Sequence, residues 1–209
     1  MTSFLKLLTF LLPFAFCPLP TAHCQLPAAC SLLTPAPGKS PRINGTTVFG
    51  VRPNSPLVFK IAATGEKPLK YEVLNLPVEL HLDSKTGMIS GKFSKEGSHI
   101  LKIRVTNKSG KAEKEMTIKV GQTLALTPPM GWNSWNAFGE SVSQEKVKAV
   151  AQAMIDKGLI DHGWSYVNID DGWQGARNAK GILEPNEKFP DMKGLSDWIS
   201  KQFLLLAIM

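Results

Sequence analysis

An acidic pair followed closely by an indole, Asp170-Asp171-Gly172-Trp173, is the combination in this chain best suited to chemistry. Carboxylates accept hydrogen bonds from hydroxyl groups, and an aromatic face packs against the C–H side of a pyranose, so together they suit a sugar. Asn133 and Trp135 follow an earlier short apolar segment and could join them. The same residue types have plainer uses. An Asp-Asp pair commonly forms an exposed turn or a helix cap, and tryptophans pack in cores, which is the preferred reading for Trp132. The choice depends on the elements that hold these residues.

Those elements alternate. Past Thr127-Pro128-Pro129, Met130 to Asn133 reads as a short strand that ends in polar residues. Ser141 offers a helix N-cap with Gln144 three places on, a capping-box spacing. Val147, Val150, Ala151, Met154 and Ile155 recur at helical intervals, and Gly158 is a natural stop. Ser165 to Ile169 reads as a buried strand that runs into Asp170-Asp171. A helix from about Gly194 to Lys201 and an apolar run from Phe203 to Ile208 follow. Strand, helix, strand, helix, strand predicts a parallel α/β sheet, and such folds place their chemistry at the carboxyl ends of strands.

Residues 42–121 carry a different pattern. The runs 56–61, 69–74, 99–105 and 115–120 are alternating or β-branched, and Asn54-Ser55-Pro56, Thr64-Gly65, Thr86-Gly87 and Ser109-Gly110 supply turns between them. In the third run Leu101, Ile103 and Val105 alternate with Ile100, Lys102 and Arg104, so one face is apolar and the other partly charged. About 80 residues suffice for a small β-sandwich with a single core.

The 209 residues carry a net charge of +7, and the excess is local: residues 41–121 hold 14 basic and 7 acidic side chains, while residues 122–209 hold 8 and 10. No run of alternating basic and aromatic residues is present, which argues against nucleic acid as a partner. The lysines read as a solvated face that also discourages edge pairing. At the amino terminus, residues 1–24 read as a signal peptide with an apolar core from Leu7 to Phe16, too short to span a membrane. The Pro-, Ala- and Ser-rich residues 25–41 read as a linker. All three cysteines, Cys17, Cys24 and Cys30, lie in or beside this leader, so the exported part has no internal disulfide. That favours a bacterial periplasm, cell surface or secreted location, with Cys30 open as a lipid attachment point. Asn44-Gly45-Thr46 and Asn107-Lys108-Ser109 match the glycosylation acceptor pattern.

Two resemblances give these readings content. Residues 126–136 (Leu-Thr-Pro-Pro-Met-Gly-Trp-Asn-Ser-Trp-Asn), 166–173 (Tyr-Val-Asn-Ile-Asp-Asp-Gly-Trp) and 185–195 are similar to the first strand, the second strand and the approach to the third strand of the α-galactosidases of glycoside hydrolase family 27. The stretch Asp83-Ser84-Lys85-Thr86-Gly87-Met88-Ile89-Ser90-Gly91, with Thr106-Asn107 after it, resembles immunoglobulin-like modules that precede catalytic domains in bacterial glycosidases. The implied architecture is an all-β immunoglobulin-like sandwich over 42–121, then the start of a (β/α)8 TIM barrel over 122–209. The implied activity is exported, retaining hydrolysis of terminal α-D-galactosyl residues in oligo- or polysaccharides, with no metal and no organic cofactor. By the same resemblance, Asp170 and Asp171 bind galactose hydroxyls and Trp135 walls the pocket.

Retention needs two carboxyl groups about 5–5.5 Å apart. The resemblance assigns both to later strands, so none of these residues is expected to be catalytic. The run Ser200 to Met209 departs from the family's usual Ser-Lys-Gly-Leu-Lys and Gly-Ile-Tyr pattern, which gives the expectation of a truncated or frameshifted, inactive product ending in strand three. The alternative is a non-catalytic secreted carbohydrate-binding or adhesion module that carries a barrel remnant. α-N-acetylgalactosamine, β-L-arabinopyranose and a glucan remain open as sugars.

Overall fold

The structure, a computed structural model, describes residues 36–123, 126–202 and 204–208. The expected signal peptide, Cys17, Cys24, Cys30 and most of the expected linker lie outside the described residues.

Among the described residues nine strands come first: β1 (Arg42–Ile43), β2 (Val48–Val51), β3 (Leu57–Lys60), β4 (Ala63–Thr64), β5 (Lys70–Val73), β6 (Leu80–Asp83), β7 (Met88–Gly91), β8 (Gly97–Asn107) and β9 (Gly110–Val120). They form a four-stranded sheet in the order β2-β9-β8-β5, a three-stranded sheet in the order β3-β7-β6, and the small pair β1-β4. All pairings are antiparallel except β2 with β9, which is parallel. The alternation in β8 is obeyed: Leu101, Ile103 and Val105 are buried while Ile100 is 55% exposed. Their inner faces join Met116 and Ile118 of β9, Tyr71 of β5 and Leu57, Leu80 and Ile89 of the other sheet in one core. The two sheets therefore face each other across a shared apolar layer, which is what a pair of half-apolar sheets must do to leave water.

The turn from β6 to β7 shows the local chemistry at work. Asp83 Oδ1 accepts from the backbone N–H of Lys85 at 2.8 Å and of Thr86 at 3.3 Å, and these bonds hold its carboxyl below the ordinary aspartate range. Gly87 closes the turn at φ +74°, with the Tyr71 ring so close that a Cβ there would lie 2.7 Å from it. Only glycine meets both demands.

The charged face is partly self-neutralised. Lys70 pairs with Glu72 at 2.8 Å, Arg104 with Glu113 at 2.8 Å and Lys108 with Glu66 at 2.6 Å. Both candidate glycosylation asparagines use their amides internally: Asn107 Nδ2 donates to the carbonyls of Lys39 and Glu66, and Asn44 Nδ2 donates to that of Asp161.

The remaining elements are β10 (Gly131–Asn133), α1 (Trp135–Phe138), α2 (Gln144–Asp156), β11 (Tyr166–Ile169), β12 (Gln174–Arg177), β13 (Leu183–Pro185), α3 (Met192–Lys201) and β14 (Leu205–Ile208). β10, β11 and β14 form a parallel sheet in that order, as the alternation predicts. Gly131 lets β10 come close to β11, since a Cβ there would collide with the Tyr166 backbone. Val147, Ala151 and Met154 of α2, Leu195 and Ile199 of α3, Val167, Ile169 and Phe189 fill a second core.

Two local features depart from the sequence reading. The cap of α2 is Ser143, whose Oγ accepts from Lys146 N, not Ser141. Gly139–Ser141 forms a 3-10 turn, and Ser141 Oγ donates instead to the Phe138 carbonyl at 2.7 Å. The capping-box partner is also engaged elsewhere, because Gln144 Oε1 accepts from Asp191 N at 3.0 Å. The second departure is the hairpin β12-β13, which interrupts the crossover between β11 and α3 and is turned by Asn178, whose Oδ1 accepts from Lys180 N and Ile182 N.

The β module meets the α/β part at the connections that lead into β10 and β11. Asp161 accepts from Asn44 Nδ2 at its carbonyl, 2.9 Å, and from Lys67 Nζ at its carboxylate, 2.8 Å. Thr46 Oγ1 lies 2.7 Å from Thr127 Oγ1, which also donates to the Val48 carbonyl at 3.1 Å.

Candidate functional site

Parallel pairing puts the ends of β10 and β11 side by side. Asn133 is in register with Asn168, so the residues just beyond each strand converge at one carboxyl edge. Asn168 Nδ2 donates to the Trp132 carbonyl at 3.0 Å, and Ser134 N donates to the Asn168 carbonyl at 3.0 Å, which extends the ladder one residue past β10. Ser134 is fully buried, and its Oγ accepts from the Asp170 backbone N–H at 3.0 Å.

Asp170 is also held at its side chain, where Asn133 Nδ2 donates to Oδ2 at 3.0 Å. The other end of the same amide, Asn133 Oδ1, accepts from Trp135 N at 2.9 Å. Trp135 opens α1 and is 44% exposed, so its indole does not fill a core. Asp171 is exposed, and its Oδ1 accepts from Gly172 N at 2.8 Å. The structure thus brings Trp135 and Asp170 together through Asn133, with Asp171 next in the chain.

The other tryptophans behave differently. Trp132 is partly buried, meets the Phe138 ring edge-on at 5.8 Å and packs on the second core, as the sequence reading preferred. Trp173 also packs partly buried against that core. The loop around it is fixed by Asn186, whose Nδ2 donates to the Gly172 carbonyl at 2.8 Å and whose N donates to that of Trp173 at 2.8 Å. Lys188 Nζ reaches the Glu140 carbonyl at 2.6 Å and ties this loop to the turn after α1. Asn186, Lys188 and Ser134 were not singled out as site residues from sequence. Each acts through bonds to distant backbone, which spacing does not reveal.

The arrangement offers acceptors at the strand edge from which α1 and its exposed Trp135 begin. It suits hydroxyl recognition and contains no nucleophile–base pair. Among the described residues no group of three or more His, Cys, Asp or Glu side chains lies close enough to hold a metal ion, and no helix is long and apolar enough to cross a membrane. A groove of about 730 Å³ lies at the opposite, amino-terminal end of the sheet, lined by Phe49 and Phe59 of the β module and by Met130, Tyr166 and Leu205. None of Asn133, Trp135, Asp170 and Asp171 lines it.

Comparison with known proteins finds relatives of the α/β part. Residues 127–209 match the family described as Alpha galactosidase A. An alpha-galactosidase A of Cellvibrio japonicus is 44% identical over 89 residues, 42% of this chain and 22% of that protein. An alpha-galactosidase of Coffea arabica is 42% identical over 88 residues, 41% of this chain and 23% of that protein. The chain therefore spans less than a quarter of these curated relatives. A crystal structure of a candidate alpha-galactosidase from Bacteroides fragilis superposes with a TM-score of 0.78 at 39% identity, covering 85% of this chain and 38% of the other. That coverage exceeds the family-matched segment, so the likeness extends over much of the β module as well. Residues 127–209 are thus similar to a segment of α-galactosidases.

Proposed function

We propose that residues 122–209 open the (β/α)8 barrel of an exported, retaining α-galactosidase, and that Asp170, Asp171 and Trp135 belong to its galactose pocket. Asp170 and Asp171 accept hydrogen bonds from sugar hydroxyls, including the axial one, and Trp135 walls the pocket. The two carboxyl groups of the retaining reaction, about 5–5.5 Å apart, come from later strands of such a barrel. In this reading residues 42–121 are an immunoglobulin-like spacer or attachment module, residues 1–24 direct export, residues 25–41 link the two, and the substrate is a terminal α-D-galactoside. What supports the reading most is the juxtaposition at one carboxyl edge: Asp170 at the end of β11 and Trp135 after β10, joined by a single amide. The carboxyl ends of parallel strands are where α/β barrels keep their active sites.

Sugar discrimination tests it directly. The chain is titrated with methyl α-D-galactopyranoside and, separately, with the glucoside, which differs in the direction of one hydroxyl. Binding is followed at the Trp135 indole N–H resonance, assigned with Trp135→Phe. The galactoside shifts this signal and the glucoside does not, and Asp170→Ala and Asp171→Ala each abolish the response. An equal response to both sugars, or an unchanged response in both variants, rejects the assignment.

A further inference from the structure

We propose that Asn133 is a positioning residue for galactoside recognition: its amide fixes the carboxylate plane of Asp170 and the position of Trp135 together. This inference rests on the sugar-pocket reading above. An aspartate carboxylate rotates easily, because its terminal torsion is broad and two-fold. A carboxylate that must meet one particular hydroxyl gains from a neighbour that occupies one oxygen and leaves the other in a defined direction. Asn133 provides this neighbour, donating to Oδ2 of Asp170 at 3.0 Å.

The amide cannot be turned over without losing both of its bonds. Its oxygen accepts from the N–H of Trp135 at 2.9 Å, an Asx-type turn, so its nitrogen must face the carboxylate. One side chain thereby ties the Asp170 carboxylate to the backbone of Trp135. The backbone of Asp170 is held independently by buried Ser134, so the freedom that Asn133 removes is that of the carboxylate itself. Preorganisation of this kind raises affinity by cutting the ordering cost of binding, without any direct contact to the ligand.

The test uses the same galactoside titration on the whole chain with Asn133→Ala and Asn133→Asp. Asn133→Ala frees both walls, and the galactoside binds about tenfold more weakly, the scale of one charge-assisted hydrogen bond. Asn133→Asp keeps the size but sets two carboxylates together, so binding at pH 7.5 falls at least as far. On acidification the pair shares one proton, and the protonated member donates as the amide did. Binding by Asn133→Asp then recovers towards that of the unaltered chain at the same pH. Asp171 follows Asp170 in the chain, and Lys188 Nζ at the Glu140 carbonyl and Lys146 Nζ at the Ser141 carbonyl lie on the turn after α1; all of these are common to all forms. A purely structural role for Asn133 gives no such pH-dependent recovery.

The outcomes separate the two readings. If the unaltered chain binds the galactoside and Asp170→Ala does not, but Asn133→Ala binds within twofold of the unaltered chain, the positioning role is overturned and the sugar pocket stands. A flat pH profile for Asn133→Asp likewise overturns the positioning role alone. If the unaltered chain shows no preference for galactoside, the pocket reading falls and this inference falls with it.

Discussion

Ser134 accepts a hydrogen bond from the backbone N–H of Asp170 across 3.0 Å, from a position with no exposure to solvent. The contact joins the ends of two strands that lie 36 residues apart in sequence. A buried hydroxyl bonded to a residue of the proposed pocket has two consequences when it is removed.

Ser134→Ala leaves the Asp170 N–H without its acceptor. An unsatisfied buried donor costs about 1–3 kcal/mol, and partial access of water to Asp170 favours the lower half of that range. The expected result is a loss of about 1–2 kcal/mol in urea unfolding with an unchanged slope, together with weaker galactoside binding. A variant as stable as the unaltered chain would show that the bond contributes nothing net.

The seam between the β module and the α/β part separates two kinds of polar contact. Lys67 pairs with Asp161 at 2.8 Å, but its side chain is 70% exposed, and exposed pairs contribute about 0–1 kcal/mol. Asn44 is less exposed and bonds both the Asp161 carbonyl and Thr64 Oγ1. Lys67→Ala is therefore expected to move the thermal midpoint little, and less still in high salt, whereas Asn44→Ala removes two neutral bonds at about 0.5–1.5 kcal/mol each. Calorimetry of the two variants at low and high salt checks the ranking. A larger effect of Lys67→Ala would reverse it.

Much of this architecture is legible because it is written in periodicity. Leu101, Ile103 and Val105 alternate in the sequence and are buried in the structure. Val147, Ala151 and Met154 recur at helical spacing and line the second core. The carboxyl-edge placement of Asp170 follows from the strand that precedes it. What is not legible depends on partners far away in the chain. The parallel pairing of β2 with β9 joins segments separated by about 70 residues, and neither carries a mark of the other. The hairpin β12-β13 has no alternation to signal it, since Gln174-Gly175-Ala176-Arg177 is small and polar. The switch of the α2 cap from Ser141 to Ser143 is decided by what else competes for Ser141 and Gln144. Asn133 stands in the sequence as a polar residue after a strand, and only the register of β10 on β11 gives its amide a partner.

Tyr71 makes the stability of the β module sensitive to alkali. It is 4% exposed, lies against Gly87 and has the Lys60 ammonium 5.0 Å from its ring centroid. Burial, with the Asp161 charge as a smaller cause, pushes its phenol up to about 12, against about 10 in an unfolded chain. The folded state therefore keeps a proton that the unfolded state releases between these values, and stability falls as pH rises through this window. Lys60 works in the opposite direction, because burial lowers its ammonium and favours the folded state as pH rises. The difference between the unaltered chain and Tyr71→Phe isolates the phenol, since phenylalanine keeps the ring and removes the proton. Urea midpoints measured from pH 9 to pH 12 are expected to fall more steeply for the unaltered chain than for Tyr71→Phe. Parallel curves would mean that Tyr71 titrates alike in both states and that its burial does not oppose ionisation.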